Sequence, residues 1–150
     1  DLPWSTFEYV EGDTDHFTKK GTEAFANALA RTIALQVSPP QTLLMLSDST
    51  IDYQNWNAPW TERGSWAHSC VTTAFSRFFP KTDVHVASDA GCGYTSRGID
   101  NHTLASLLAE SGPADVIVVI AGWNDNPKRS VVVRSAVHSF WMTATSMVHA

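Results

Sequence analysis

The chain has 150 residues, of which 43% are hydrophobic, so it can bury one core and is predicted to form a single domain, residues 1–150. Its formal net charge is −5, and the only adjacent basic pairs are Lys19-Lys20 and Lys128-Arg129, which argues against nucleic-acid binding. No apolar run approaches the roughly 20 residues of a membrane-spanning helix, which argues against a membrane partner.

Apolar runs of strand length alternate with helical patterns along the chain. In chain order the pattern predicts a weak strand at 7–10, a helix at 22–37, a strand at 42–46, a helix at 65–79, a strand at 83–87, a helix at 101–110, a strand at 115–121 and a last helix at 130–150. Strands that alternate with helices predict an α/β fold, in which a parallel sheet is covered by helices on both faces.

Small, polar and glycine-containing segments follow three of the predicted strands, at 47–49, 88–93 and 122–125. In open parallel sheets, ligands bind outside the carboxyl ends of the strands. We therefore expect a functional site at this edge of the sheet and scaffold elsewhere.

Five residues have the chemistry of acyl transfer, which needs a nucleophile, a base, a group that orients the base, and oxyanion donors. Ser49 offers a hydroxyl just after the strand at 42–46. Asp13 and His16 lie three positions apart, so the carboxylate can hold the imidazole tautomer whose other nitrogen acts as base. Gly93 offers a backbone N–H without a Cβ in the way, and Asn124 offers a side-chain amide.

Taken alone, these residues have commoner explanations: a helix N-cap for Ser49 and a solvated turn for Asp13 and His16. Their joint occurrence at strand ends favours a site.

Four segments resemble the motif blocks of SGNH/GDSL-type serine esterases. LLMLSDSTID resembles the first block, GCGYTSRG the second, AGWND the third, and GDTDHFTKKGTEAFANALARTI the last. The resemblance implies that Ser49 is the nucleophile, His16 the base and Asp13 its orienting group. It implies that the Ser49 N–H, Gly93 and Asn124 donate to the oxyanion, and that no metal or organic cofactor takes part. The implied fold is three-layer α/β/α, flavodoxin-like, with a small parallel sheet.

Two features depart from the family pattern. Ser47 stands where the first block usually has Gly, and the block with Asp13 and His16 comes first rather than last. The chain is therefore interpreted either as a circular permutant or as a segment cut across two tandem domains. In the permutant, residues 1–38 correspond to the family's C-terminal block and 42–150 to its N-terminal part. In the tandem segment, His16 would act as the base for the serine of a neighbouring copy.

The expected substrate is a small-molecule or carbohydrate ester, including O-acetyl groups on saccharides. Trp56, Trp60 and Trp123 are candidate binding residues for a sugar ring or acyl group, although core or lid packing is the favoured interpretation for each. An acyltransferase would use the same residues, and a non-catalytic module for binding or assembly would keep only the fold. The sequence leaves the compartment and the oligomeric state open.

The remaining histidines and the two cysteines have no pattern of their own. His68, His85, His102, His138 and His149 share no metal-ligand spacing and are interpreted as structural or exposed. Cys70 and Cys92 match neither a metal site nor a disulfide framework, so two free thiols are expected and a single bridge stays open.

Overall fold

A computed structural model describes residues 7–9, 11–12, 16–51 and 65–148. Four helices and three strands alternate along them. They are α1 (Lys19–Ala34), β1 (Thr42–Ser47), α2 (Ser65–Phe78), β2 (Asp83–Ser88), α3 (Leu104–Ser111), β3 (Val116–Ile120) and α4 (Ser130–Met147), with a 3₁₀ turn at Pro127–Arg129. The protein is therefore mixed α/β, as the sequence pattern predicts.

The three strands form one open, fully parallel sheet in the order β2-β1-β3. Ser47 at the end of the central strand is in register with Ser88 of β2 and Ile120 of β3. The carboxyl ends of all three strands are thus level. Strand β2 lies on one side of β1 and β3 lies on the other, so the direction of the chain connections reverses at β1. Open parallel sheets bind ligands at such a reversal, which here is the crevice between β1 and β3.

Strand β1 contributes alternate side chains to two cores. Leu43 and Met45 belong to a buried cluster with residues of α1 and α2, whereas Leu44 and Leu46 belong to a cluster with residues of α3 and α4. This alternation follows from the two-residue period of a strand. Helices therefore cover both faces of the sheet, an arrangement compatible with a three-layer α/β/α fold.

Capping side chains set the starts of α1 and α3. Thr18 accepts a hydrogen bond from the Gly21 N–H at 3.0 Å, so α1 begins three residues before its predicted start. Thr103 and Ser106 form a reciprocal capping box, so α3 begins three residues after its predicted start.

Predicted and observed strand bounds agree within one residue, except for the weak strand at 7–10. Among its described residues there is only an isolated antiparallel bridge between Tyr9 and Phe17, and Val10 lies outside the described part of the chain. The last predicted helix ends at Met147, after which Val148 forms an isolated parallel bridge with Ala114. Within the described ranges, no helix is both long and apolar enough to cross a membrane.

Candidate active site

Ser49 and His16 meet at the carboxyl edge of the sheet. The Ser49 Oγ lies 3.0 Å from the His16 Nε2, although the two residues are 33 positions apart. This is the distance at which an imidazole accepts a hydroxyl proton. Both residues are half-buried. The structure therefore brings together the side chains of two of the five residues singled out in the sequence.

His16 is held in place by the residue that follows it. Phe17 is buried in the core between α1 and α2, and its backbone forms the bridge to Tyr9. The Thr18 side chain then caps α1. The buried Phe17 and the N-cap Thr18 thus fix the backbone position of His16. Asp13, the predicted orienting group, lies outside the described residues.

The turn that carries Ser49 is organised by Asp48, to which the sequence gives no role. Asp48 is 1% exposed, and its Oδ1 accepts hydrogen bonds from the Thr50 N–H at 2.9 Å and the Thr50 hydroxyl at 2.7 Å. Burial raises the pKa of the Asp48 carboxyl above its ordinary value, while these bonds and the nearby His16 partly oppose the rise. Asp48 therefore holds the turn that carries Ser49 in a fixed conformation.

Asn124 follows β3 and reaches across to this turn. Its Nδ2 donates to the Asp48 Oδ2 at 3.1 Å and to the Cys92 carbonyl oxygen at 3.0 Å. Both amide N–H groups thus have internal acceptors, although the residue as a whole is exposed. An oxyanion that binds Asn124 would take the place of one of these acceptors.

Gly93 is near the same edge, but its N–H donates to the Ser96 carbonyl oxygen at 3.0 Å. A Cβ at Gly93 would lie 2.7 Å from both carboxylate oxygens of Asp125. The close approach of Asp125 therefore explains the glycine independently of any substrate. The predicted oxyanion role of Gly93 requires its N–H to exchange the Ser96 acceptor for the substrate.

Asp125 is the second carboxylate that sequence reasoning leaves without a role. It accepts hydrogen bonds from the backbone N–H groups of Tyr94, Thr95 and Ser96 and from the Thr95 hydroxyl. Partial burial opposes ionisation, but these donors outweigh it and lower the pKa of Asp125 below its ordinary value. The signal was present in the sequence, because Asp125 directly follows Asn124 in AGWND.

Of the three predicted tryptophans, Trp123 alone lies in the described part of the chain; Trp56 and Trp60 lie outside it. Trp123 is 82% exposed and lines an open cavity of about 490 Å³ beside Asn124. Trp123 is therefore not a core residue.

The cysteines and two further histidines make contacts of their own. Cys70 and Cys92 are not joined by a disulfide, and the Cys92 thiol donates to the Ser47 carbonyl oxygen at 3.4 Å. His102 bridges the buried Asp89 and the exposed Glu110, and His85 pairs with Asp83 at the opposite end of β2. Within the described ranges, no group of three or more His, Cys, Asp or Glu side chains is arranged to hold a metal ion.

Comparison with known protein families, with curated proteins and with solved structures finds no match for this chain.

Proposed function

We propose that this chain is a serine hydrolase of the SGNH/GDSL type that cleaves carboxylic esters through an acyl-enzyme. One observation carries the proposal: the Ser49 Oγ lies 3.0 Å from the His16 Nε2 at the carboxyl edge of a parallel sheet. This distance suits the nucleophile and base of acyl transfer, and the carboxyl edge of a parallel sheet is where such sheets bind ligands.

The reaction follows from the roles of the two side chains. His16 takes the Ser49 proton while the Ser49 oxygen attacks the ester carbonyl carbon, and the tetrahedral intermediate carries its negative charge on the former carbonyl oxygen. When the intermediate collapses, the bond to the alcohol oxygen breaks and His16 gives that oxygen its proton. A water molecule, deprotonated by His16, then attacks the acyl-enzyme, and its proton returns to Ser49 as the acid leaves.

We assign the oxyanion contacts to the Ser49 N–H, Gly93 and Asn124, and the orientation of His16 to Asp13. The position of Asn124 supports this assignment, since its amide hydrogen-bonds to Asp48, the neighbour of Ser49. In the transition state the more negative oxygen would outcompete the Cys92 carbonyl for one amide N–H, because hydrogen bonds to charged acceptors are stronger.

The finer architecture that we propose is a circularly permuted SGNH fold. Helix α1 runs into β1 through 35–41 and packs with α2 on one face of the sheet, the position that a C-terminal helix of the family would occupy. The contact between Ser49 and His16 within one chain also favours the permutant over the tandem segment.

We place carbohydrate esters ahead of other substrates because of Trp123. An exposed indole beside a proposed oxyanion donor offers a flat apolar surface to a sugar ring. The cavity that it lines is open enough for a group larger than acetyl.

A non-catalytic module is the second candidate, and one observation favours it. The N–H groups of Gly93 and Asn124 both have internal acceptors, so the loops are satisfied without a substrate.

A fluorophosphonate probe separates the two candidates, because it phosphonylates an activated serine hydroxyl and releases fluoride. We expect stoichiometric labelling, with peptide mapping placing the adduct on Ser49. Ser49→Ala should lose both the label and p-nitrophenyl acetate hydrolysis, by several orders of magnitude in rate. His16→Ala should lose both to a similar extent.

The matched control is Ser111→Ala, since Ser111 only bonds a carbonyl of its own helix. It should label and hydrolyse like the wild type. A chain that is folded by circular dichroism but neither labels nor hydrolyses the ester would favour the non-catalytic module.

A further inference from the structure

A second serine–histidine pair lies beside the first. The His68 Nε2 is 2.6 Å from the Ser88 Oγ, and both residues are half-buried. Ser88 is the last residue of β2, and His68 lies in the first turn of α2. Neither residue belongs to the motif blocks, and the proposed mechanism does not use them.

The two pairs are arranged alike. Ser49 follows β1 and Ser88 ends the neighbouring strand, where it is in register with Ser47. His16 precedes α1 and His68 begins α2, and these two helices pack together on the same face of the sheet. Adjacent strands lie about 4.8 Å apart, so the second pair stands one strand away from the strand that precedes Ser49, on the face of the sheet that α1 and α2 cover.

The mechanism of acyl transfer determines which part of an ester substrate faces His16. The base that takes the serine proton returns it to the leaving alcohol, so the alcohol oxygen must face His16. Cys92, whose carbonyl binds Asn124 and which precedes Gly93, packs in the opposite core, with α3 and α4. An ester bound with its carbonyl oxygen on the side of Cys92 would therefore have its alcohol part on the opposite face, the face of the sheet on which His16, His68 and Ser88 lie.

The pair is suited to an uncharged polar group. A serine hydroxyl has one donor and two acceptor sites, so its bond to His68 leaves hydrogen-bonding capacity for a ligand. Burial lowers the pKa of His68, which keeps the imidazole neutral near pH 7. A neutral pair matches a hydroxyl or a ring oxygen better than a carboxylate or a phosphate.

We propose that Ser88, positioned by His68, binds a hydroxyl or ring oxygen in the alcohol part of the ester, so that the substrates are esters of polyols or saccharides. This inference rests on the proposed function. Ser88 is thus a binding residue for the leaving group, and His68 is a positioning residue that acts through it.

The test compares two acetate esters that differ in the alcohol: glycerol monoacetate, which has free hydroxyls, and p-nitrophenyl acetate, which has none. Ser88→Ala should raise KM for glycerol monoacetate by about 5- to 10-fold with little change in kcat, the effect of one lost hydrogen bond. Both parameters for p-nitrophenyl acetate should stay within twofold of the wild type. His68→Gln should show the same selective effect, and Ser88→Thr, which keeps the hydroxyl, should restore most of the preference.

His85→Gln is the matched control, because His85 is exposed on the same strand and pairs with Asp83 at its other end. It should change neither kcat nor KM for either ester. If Ser88→Ala raised KM equally for both esters, or for neither, the inference would be overturned, whereas the proposed esterase function would stand. A wild-type chain that hydrolyses neither ester and does not label at Ser49 would overturn the proposed function, and the inference with it.

Discussion

Asp48 and Asn124 are the two residues that most constrain how the site works. The Asp48 carboxylate is buried beneath the turn that carries Ser49, and its Oδ2 accepts one N–H of the Asn124 amide. The other N–H of that amide is bonded to the Cys92 carbonyl. The orientation of the Asn124 amide is therefore fixed before a substrate arrives, and an oxyanion would have to replace the Cys92 carbonyl as the acceptor of one N–H.

We expect Asn124→Ala to lower kcat for p-nitrophenyl acetate by on the order of 10²–10³-fold, with a smaller change in KM, because an oxyanion donor acts mainly in the transition state. Steady-state kinetics measure both. The neighbouring control Asn126→Ala removes only the cap of the 3₁₀ turn and should leave kcat close to the wild-type value. A raised KM with unchanged kcat would place Asn124 in substrate binding instead.

Asp48→Asn tests the buried carboxylate itself. An amide keeps an oxygen for the two Thr50 donors but turns an NH₂ group towards the Asn124 Nδ2, so the donor loses its orientation. We expect kcat to fall by about tenfold. The free energy of unfolding at pH 7 should change by less than about 1 kcal/mol, because the lost bond is offset by removal of a buried charge. A urea titration that shows a large stability loss with normal kcat would contradict this view.

At the scale of elements, the loop from β2 to α3 is attached to the end of β3 by Asp125. Its carboxylate binds three consecutive backbone N–H groups, at 94–96, and the Ser96 hydroxyl donates in return to the Asn124 carbonyl oxygen. Two loops that are about 30 positions apart in the chain are thereby joined at the site.

Asp125→Asn should lower the free energy of unfolding at pH 7 by about 1–2 kcal/mol, since it loses one acceptor and the charge that strengthens the others. Because folding lowers the pKa of Asp125, its stabilisation is present above the ordinary carboxyl pKa of about 3.9. That stabilisation is lost as the pH falls below this value and through the folded pKa. The difference between the urea midpoints of wild type and variant should therefore be constant from pH 7 to pH 5 and shrink below pH 4.

Asp83→Asn provides the comparison, because Asp83 is an exposed carboxylate on β2 whose partner is the exposed His85. Its effect on the urea midpoint should be close to zero at pH 7. A difference for Asp125→Asn that persists undiminished to pH 3 would show that the charge of Asp125 contributes nothing.

At the scale of the whole molecule, the open question is whether one chain carries a complete site. Helix α1 and the segment with His16 pack against α2 and β1 of the same chain, with Phe17 and Phe25 in the shared core. Removing this segment would expose the face of the sheet that it covers. The packing therefore favours a site assembled within a single chain.

Mixing inactive chains tests this assembly. Ser49→Ala and His16→Ala chains should each be inactive, and their mixture should stay inactive, because each chain keeps its own defective half of the site. Activity per wild-type chain should also be independent of concentration. Recovery of p-nitrophenyl acetate hydrolysis on mixing would instead establish that His16 of one chain serves Ser49 of another.

Local patterns in the sequence predict most of the fold. The strands β1, β2 and β3 are apolar runs bounded by polar or glycine residues. The helices are amphipathic, and α1, α2 and α3 end near Gly or Pro, so these elements are visible within a short window. The helix starts were missed by three residues where Thr18 and Thr103 act as caps. The weak strand at 7–10 was overestimated, because a short apolar run carries no information on whether it finds a partner strand.

The sequence by itself determined the three strands and the four helices to within a few residues. It also led to the prediction of a site at the carboxyl edge of the sheet that includes Ser49 and His16. Only the tertiary structure decided that these two side chains are 3.0 Å apart, that Asn124 is bonded to Asp48 across 76 positions, and that His68 meets Ser88. It also decided that Gly93 makes room for Asp125. The physical reason is that a helix or strand depends on neighbours within a few residues, whereas hydrogen bonds between distant loops depend on strand register and on which face each helix covers.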